Sequence, residues 1–246
     1  MALTIHKQSG YHIGADIHAG GIPNSCNLCM QRKSCIASQL LSFSSQPNML
    51  HSHIYRGAEH VFHAGNNMEA VYIVKSGAIK SYITNHAGEE QILNFYTPGD
   101  VLGLDGLATK KYTSSAFTLQ TSAVCAIPIQ QLEKILTHLL PDGLLKLTIE
   151  KLKRDSRNVA LLNKKNAKTR IAAFLLDIAE NCKAHGYSPK EFELSMSRDD
   201  IGNYLGLASE TVSRTFTKMQ ASGWVKLDRR RVTIVDAPHL YQLADN

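Results

Sequence analysis

The segment from Met196 to Arg214 constrains this chain more than any other. Ser197 is placed to cap a helix, and Asp200 stands three residues on to return the hydrogen bond, the pattern of a capping box. The helix runs through Ile201 and Tyr204 to Gly206. A three-residue turn, Gly206-Leu-Ala208, leads to a second N-cap expected at Ser209 and a second helix ending near Met219, where Ser222-Gly223 stops it. Trp224–Leu227 and Val232–Val235 then read as the strands of a hairpin whose tip, Asp228-Arg-Arg-Arg231, is basic. Two short helices across a glycine turn, followed by a basic-tipped hairpin, describe a winged helix-turn-helix.

The second helix opens Ser209-Glu-Thr-Val-Ser-Arg214, which puts Glu210, Ser213 and Arg214 at i, i+3 and i+4 on one face. A carboxylate there can accept from cytosine N4 and an arginine can bridge guanine O6 and N7, each good pair discriminating by about 1–3 kcal/mol. Taken alone, the three residues read better as an ordinary surface helix with a Glu–Arg ion pair worth about 0.3–0.5 kcal/mol. The turn, the hairpin and the partner helix tip the reading toward double-stranded DNA.

Charge agrees with placed contacts rather than a basic coat. The net charge is +6, yet Lys+Arg against Asp+Glu is 9 to 9 over residues 1–143 and 11 to 10 over residues 168–246. The excess sits in residues 144–167, at 7 to 2. In that segment Leu145, Thr148 or Ile149, Leu152, Asp155 or Ser156, and Val159 recur at alternating steps of three and four, the seam of a helix that pairs with another helix. Packing on its own domain is the plainer reading. Pairing in a homodimer is preferred, because Lys151, Lys153, Arg154 and Arg157 on the other faces are expected in water. Asp155, on or beside the seam, would face its copy and oppose association.

Upstream, Val71–Val74, Ala78–Ile83, Gln91–Phe95 and Ala123–Ile127 are strand candidates, with turns at Lys75-Ser-Gly77, Asn85-His-Ala-Gly88 and Pro98-Gly-Asp100. Short strands at near-regular spacing suggest a small antiparallel barrel or roll. The chain thus divides into an arm at 1–49, a roll at 50–140, a pairing helix at 141–166 and a winged helix-turn-helix at 167–246: an α+β architecture.

The arm carries a C-x2-C-x5-C cluster, Cys26, Cys29 and Cys35, in a chain of five cysteines. No apolar leader and no run of membrane-spanning length is present, so a cytoplasmic, reducing setting with no membrane partner is expected, and a disulfide framework is not. Three thiolates fall one short of a tetrahedral zinc site or of the ligands of an iron–sulfur cluster. Cys125 or Cys182 could supply the fourth, and His12 or His18 could complete a zinc site. Spacing leaves iron–sulfur, structural zinc and free thiols all open. The pairs His51-x-His53 and His60-x2-His63 lack an evident third ligand. No nucleophile elbow, P-loop or zinc-protease signature occurs, so an enzyme is not expected.

On these residues the chain resembles the CRP/FNR superfamily of bacterial transcription regulators over nearly its whole length. Met196–Arg214 looks like the family's helix-turn-helix, Tyr72–Lys80 like its β-roll (cupin-like, cyclic-nucleotide-binding-like) and Leu161–Phe174 like the junction between dimerisation helix and DNA domain. The cysteine pattern is similar to that of the FNR-type branch. The resemblance implies an oxygen-labile 4Fe-4S cluster, one per subunit, on Cys26, Cys29, Cys35 and Cys125, leaving Cys182 as a core residue. It implies base contacts from Ser209, Glu210, Ser213 and Arg214 to TTGAT-type half-sites in a palindrome, with Ser209 replacing the apolar residue usual before the glutamate. It implies dimerisation through Leu145, Leu152, Asp155 and Val159, Asp155 opposing it until the cluster is assembled, and a contact of Gly88 and Glu89 with RNA polymerase. The cyclic-AMP branch fits less well, because Ser114 stands where its phosphate-binding arginine would be.

Overall fold

The computed structural model describes residues 22–23, 26, 29, 35, 51–132 and 141–245. The expected arm therefore lies outside the described residues except for its cysteines and one short strand. In chain order the elements are β1 (Ile22–Pro23), β2 (His51–Tyr55), β3 (His60–Phe62), β4 (Ala70–Ser76), β5 (Ile79–Thr84), β6 (Glu90–Tyr96), β7 (Val101–Leu102), β8 (Ser115–Thr118) and β9 (Ser122–Pro128). After them come α1 (Pro141–Leu162), α2 (Ala167–Ala184), β10 (Glu191–Glu193), α3 (Arg198–Leu205), α4 (Ser209–Ala221), β11 (Val225–Asp228), β12 (Arg231–Ile234) and α5 (Ala237–Asp245).

The first nine strands form two antiparallel sheets ordered β1-β2-β9-β4-β7 and β3-β8-β5-β6, and their apolar faces meet in one core that includes Phe62, Val71, Ile73, Ile79, Leu102 and Val124. The four strands expected from alternating apolar residues are present. β2, β3, β7 and β8 give a weaker signal for a physical reason. In β2 Ser52 is buried while Ile54 is 66% exposed, and β8 buries Ser115 and Ala116, so small and polar residues occupy inward positions. The β4–β5 turn needs its glycine: at Gly77 φ is +91°, and a Cβ there would meet the Ser122 Oγ at 2.2 Å.

α1 runs 22 residues. Its side chains along the line Ile149, Leu152, Val159 and Leu162 are exposed, Leu152 at 64% and Val159 at 60%. On its other faces Lys153 and Arg157 are exposed, as expected, whereas Arg154 and Asn158 turn inward. Arg154 is not in water: its Nη2 donates to the buried Asp100 carboxylate, and its guanidinium lies over the Tyr96 ring at 5.4 Å. Asn158 donates Nδ2 to Asn94 Oδ1 at 2.8 Å. The roll therefore offers α1 a polar seat, a tertiary fact that helical periodicity does not carry.

α2 starts three residues before the expected Arg170, because Asn166 caps it by accepting from the Thr169 N–H at 3.0 Å. It buries Ile171, Phe174 and Leu175 in the second core, with Ile201, Leu205, Val212, Phe216, Val232 and Leu240. Strands β10, β12 and β11 make a three-stranded sheet rather than a bare hairpin, and β10 was not read from sequence. Among the described residues no helix is long and apolar enough to cross a membrane.

Candidate functional site

The helix-turn-helix is built by short-range rules. Ser197 and Asp200 form a reciprocal capping box, which starts α3. Gly206 closes α3 in the left-handed region at φ +63°. Gly202 was not singled out by sequence reasoning. A Cβ on it would meet the Leu207 carbonyl at 2.5 Å, so only glycine lets the turn fold this tightly onto α3. The expected cap at Ser209 is a correction. Ala208 is the N-cap and makes no side-chain capping bond, and Ser209 is the first helical residue. The reason is that the turn from Gly206 takes one residue fewer than the Ser-cap pattern assumes.

α4 buries Val212, Phe216 and Met219 and turns Glu210, Ser213 and Arg214 outward. Arg214 is exposed and donates Nη2 to Thr211 Oγ1 at 3.4 Å on its own helix. Arg198, at the start of α3, stacks on Phe216 at 3.8 Å and braces α4 from behind. At the hairpin tip Arg229 and Arg230 are exposed, while Arg231 lies in β12 and pairs with Glu191 across the sheet at 3.4 Å.

On α1 the expected seam residues fall into two groups. Leu152 and Val159 form the exposed apolar line with Ile149; Leu145 is helical, and its side chain lies outside the described part. Asp155 stands beside that line, half exposed, paired with Lys151 at 2.8 Å on its own helix.

The roll brings the cysteines toward one another by strand register. Cys125 sits in β9 opposite Ser52 of β2 on one side and Ile73 of β4 on the other. β1 pairs with β2 through Ile22 opposite Ser52, so the chain enters the Cys125 row a few residues before Cys26. Cys35 and Cys125 are both buried in the roll core, and Cys26 packs against that cluster. Burial pushes the Cys26 thiol up, and the neighbouring thiols of Cys35, Cys125 and Cys29 push it further, with Lys75 pulling the other way. Cys26, Cys35 and Cys125 share a largely apolar seat with Cys29 near enough to act on Cys26, and a cationic iron or zinc centre would offset the charge of any thiolates it bound there. Among the described residues no three His, Cys, Asp or Glu side chains are gathered closely enough to hold a single metal ion. Cys182 belongs elsewhere, packed on the DNA-domain core. His60 and His63 stack at 4.0 Å, and the His60 ring bonds Tyr82 Oη at 2.8 Å, a structural role within the roll.

Between the roll and α1 lies a cavity of about 460 Å³. Its inner wall holds Ser114, whose N–H and Oγ both donate to the Asp105 carboxylate at 3.1 and 3.0 Å. Thr113 adds its N–H to the same oxygen at 3.0 Å. The Ser114 and Thr113 donors are thus taken up by the Asp105 carboxylate, in a cavity that Lys151, Lys153, Arg154 and Arg157 also line. Gly88 and Glu89 form the exposed β5–β6 turn, where Asn85 accepts from the Glu89 N–H at 3.0 Å and donates Nδ2 to its carboxylate at 2.9 Å.

Two family models match the chain: a cyclic nucleotide-binding domain over residues 53–138 and a Crp-like helix-turn-helix domain over residues 169–243. The chain is 41% identical over 188 residues to the "Transcriptional activator protein anr" of Pseudomonas aeruginosa, covering 76% of this chain and 77% of that one. It is 35% identical over 242 residues to the "Anaerobic regulatory protein" of Haemophilus influenzae, covering 96% and 93%. Among solved structures, FixK2 from Bradyrhizobium japonicum superimposes with a TM-score of 0.71 at 30% identity, covering 79% of this chain and 96% of that one.

Proposed function

The chain belongs to the CRP/FNR superfamily of transcription regulators, in its FNR-type branch, and from that premise we propose a DNA-binding activator of anaerobic genes under the control of a 4Fe-4S cluster. Cys26, Cys29, Cys35 and Cys125 would hold one cluster per subunit, and when bound it would supply an oxygen-labile centre. The observation that carries the reading is the meeting of the Cys26 neighbourhood with Cys125 on the central strand of the roll.

The protein's own residues connect that place to DNA. β9, which carries Cys125, runs directly into the helical residues 129–132 that precede α1. Ordering Cys26, Cys29 and Cys35 on β9 therefore bears on how α1 is seated. The exposed line of Leu152 and Val159, continued toward Leu145, pairs with its copy in a homodimer. Asp155 beside the line opposes that pairing, since association would desolvate two like charges. In the dimer two α4 helices reach major grooves about 34 Å apart, and Ser209, Glu210, Ser213 and Arg214 read TTGAT-type half-sites of a palindrome. The Gly88–Glu89 turn faces solvent as a contact for RNA polymerase. The setting is the cytoplasm. The bonded Asp105 cassette argues against a cyclic nucleotide as the signal.

Anaerobic purification, with iron and sulfide assay and a visible spectrum, tests the reading. The expected protein is brown, carries about four iron and four sulfide per chain, and loses colour, dimer and DNA binding in air. A colourless protein with zinc or bare thiols that binds DNA regardless of oxygen overturns the cluster and leaves the DNA reading standing.

A further inference from the structure

The first helix of the DNA-binding motif, α3, is docked on the sensor roll. Among the described residues β6 is the edge strand of its sheet, so one row of its backbone groups faces no strand there. Asn203 fills that row as a neighbouring strand would: its Nδ2 donates to the Glu90 carbonyl at 2.7 Å and its Oδ1 accepts from the Ile92 N–H at 2.7 Å. Gln91 Nε2 donates back to the Asn203 carbonyl at 3.3 Å. One turn away, Lys80 of β5 lies between Glu90 at 3.1 Å and Asp200 of α3 at 3.0 Å, its side chain only 12% exposed. Burial alone would lower the Lys80 pKa, but the two carboxylates outweigh it and hold it above the ordinary lysine value.

Beneath these bonds the two cores join. Tyr82 and Ile92 of the roll belong to the DNA domain's apolar cluster, and Phe95 sits edge-on to Phe174 and Tyr204 at 6.2 and 5.0 Å. Tyr204 donates its hydroxyl to Asn158 of α1 at 2.6 Å. The reading face of α4 points elsewhere, with Glu210, Ser213 and Arg214 exposed. The docking thus fixes the DNA domain against both roll and α1 while leaving its base-reading residues uncovered.

We propose that Lys80 and Asn203 are positioning residues for DNA binding: through the α3–β6 seat the sensor roll presents the recognition helix in its DNA-competent orientation. The proposal rests on the DNA-binding reading above. A palindrome demands two domains held in fixed relation. A domain swinging on the short α1–α2 link at residues 163–166 would be competent only part of the time, and apparent affinity falls by that fraction.

The test compares the anaerobically purified full chain with Lys80→Met, Lys80→Arg and Asn203→Ala. The readouts are affinity for a duplex carrying two TTGAT-type half-sites, dimer mass, and the rate of tryptic cleavage at Lys164 and Lys165. Lys80→Met and Asn203→Ala should each lower affinity about tenfold or more and speed cleavage at the link, with dimer mass unchanged. Lys80→Arg should restore affinity. Unchanged affinity in both variants overturns the proposal, and tighter binding overturns it in favour of an inhibitory seat. A wild-type chain that binds the palindrome no better than a scrambled duplex overturns the reading beneath it.

Discussion

α1 and α4 are both amphipathic helices, and they spend their faces in opposite ways. α4 hides its apolar residues, Val212, Phe216 and Met219, and shows solvent Glu210, Ser213 and Arg214. α1 shows solvent its apolar residues, Ile149, Leu152 and Val159, and seats Arg154 and Asn158 on the roll. A helix with its apolar face covered belongs to a finished unit, and its exposed polar face is free to recognise something. A helix with its apolar face bare is unfinished and needs a second copy or a partner to complete it. Under the function proposed above, the first face reads and the second pairs.

The sharpest way to break this contrast is to attack the hidden face of α4. Phe216→Ala removes a ring that is 1% exposed and braced by Arg198, and should destabilise the DNA domain by about 3–5 kcal/mol. Calorimetry would show an early transition for that domain. On α1 the same kind of change should have the opposite signature. Leu152→Asp should leave the melting temperature of the monomer within a degree or two, since an exposed side chain costs about 0.5 kcal/mol or less to replace. It should abolish the dimer by light scattering and take DNA binding with it. A large loss of monomer stability would mean that the line packs within its own chain.

The exposed residues give smaller effects. Arg214→Ala should cost about 1–3 kcal/mol of binding, seen as relaxed preference at one base pair; uniform weakening on all sequences would assign Arg214 to phosphate. Asp155→Ala should yield a dimer that binds DNA in air, measured by band shift, and an aerobic monomer without DNA affinity would sever Asp155 from the control of pairing. Least of all, Ser197→Ala should cost about 1 kcal/mol through the lost capping box, read by denaturant melting.

What sequence made legible follows the range of the interactions concerned. The capping box at Ser197 and Asp200, the left-handed Gly206 and the outward face of α4 rest on contacts within a few residues, so they could be read from neighbours in the chain. The roll was visible where strands alternate and hidden where β2 buries Ser52 and exposes Ile54, because inward position there is set by the strands on either side. The C-x2-C-x5-C spacing and the apolar recurrence along α1 were local too. Their meaning was not. Cys26 finds Cys125 through the pairing of β1, β2 and β9, and Arg154 finds Asp100 across a gap of 54 residues. By itself, then, the sequence determined the helix-turn-helix, the family and the spacing of the cysteines. Only tertiary structure decided which thiols share one seat, which face of α1 lies bare, and that Asn203 completes the edge of the roll, because side chains distant in sequence are brought together only by strand register and packing.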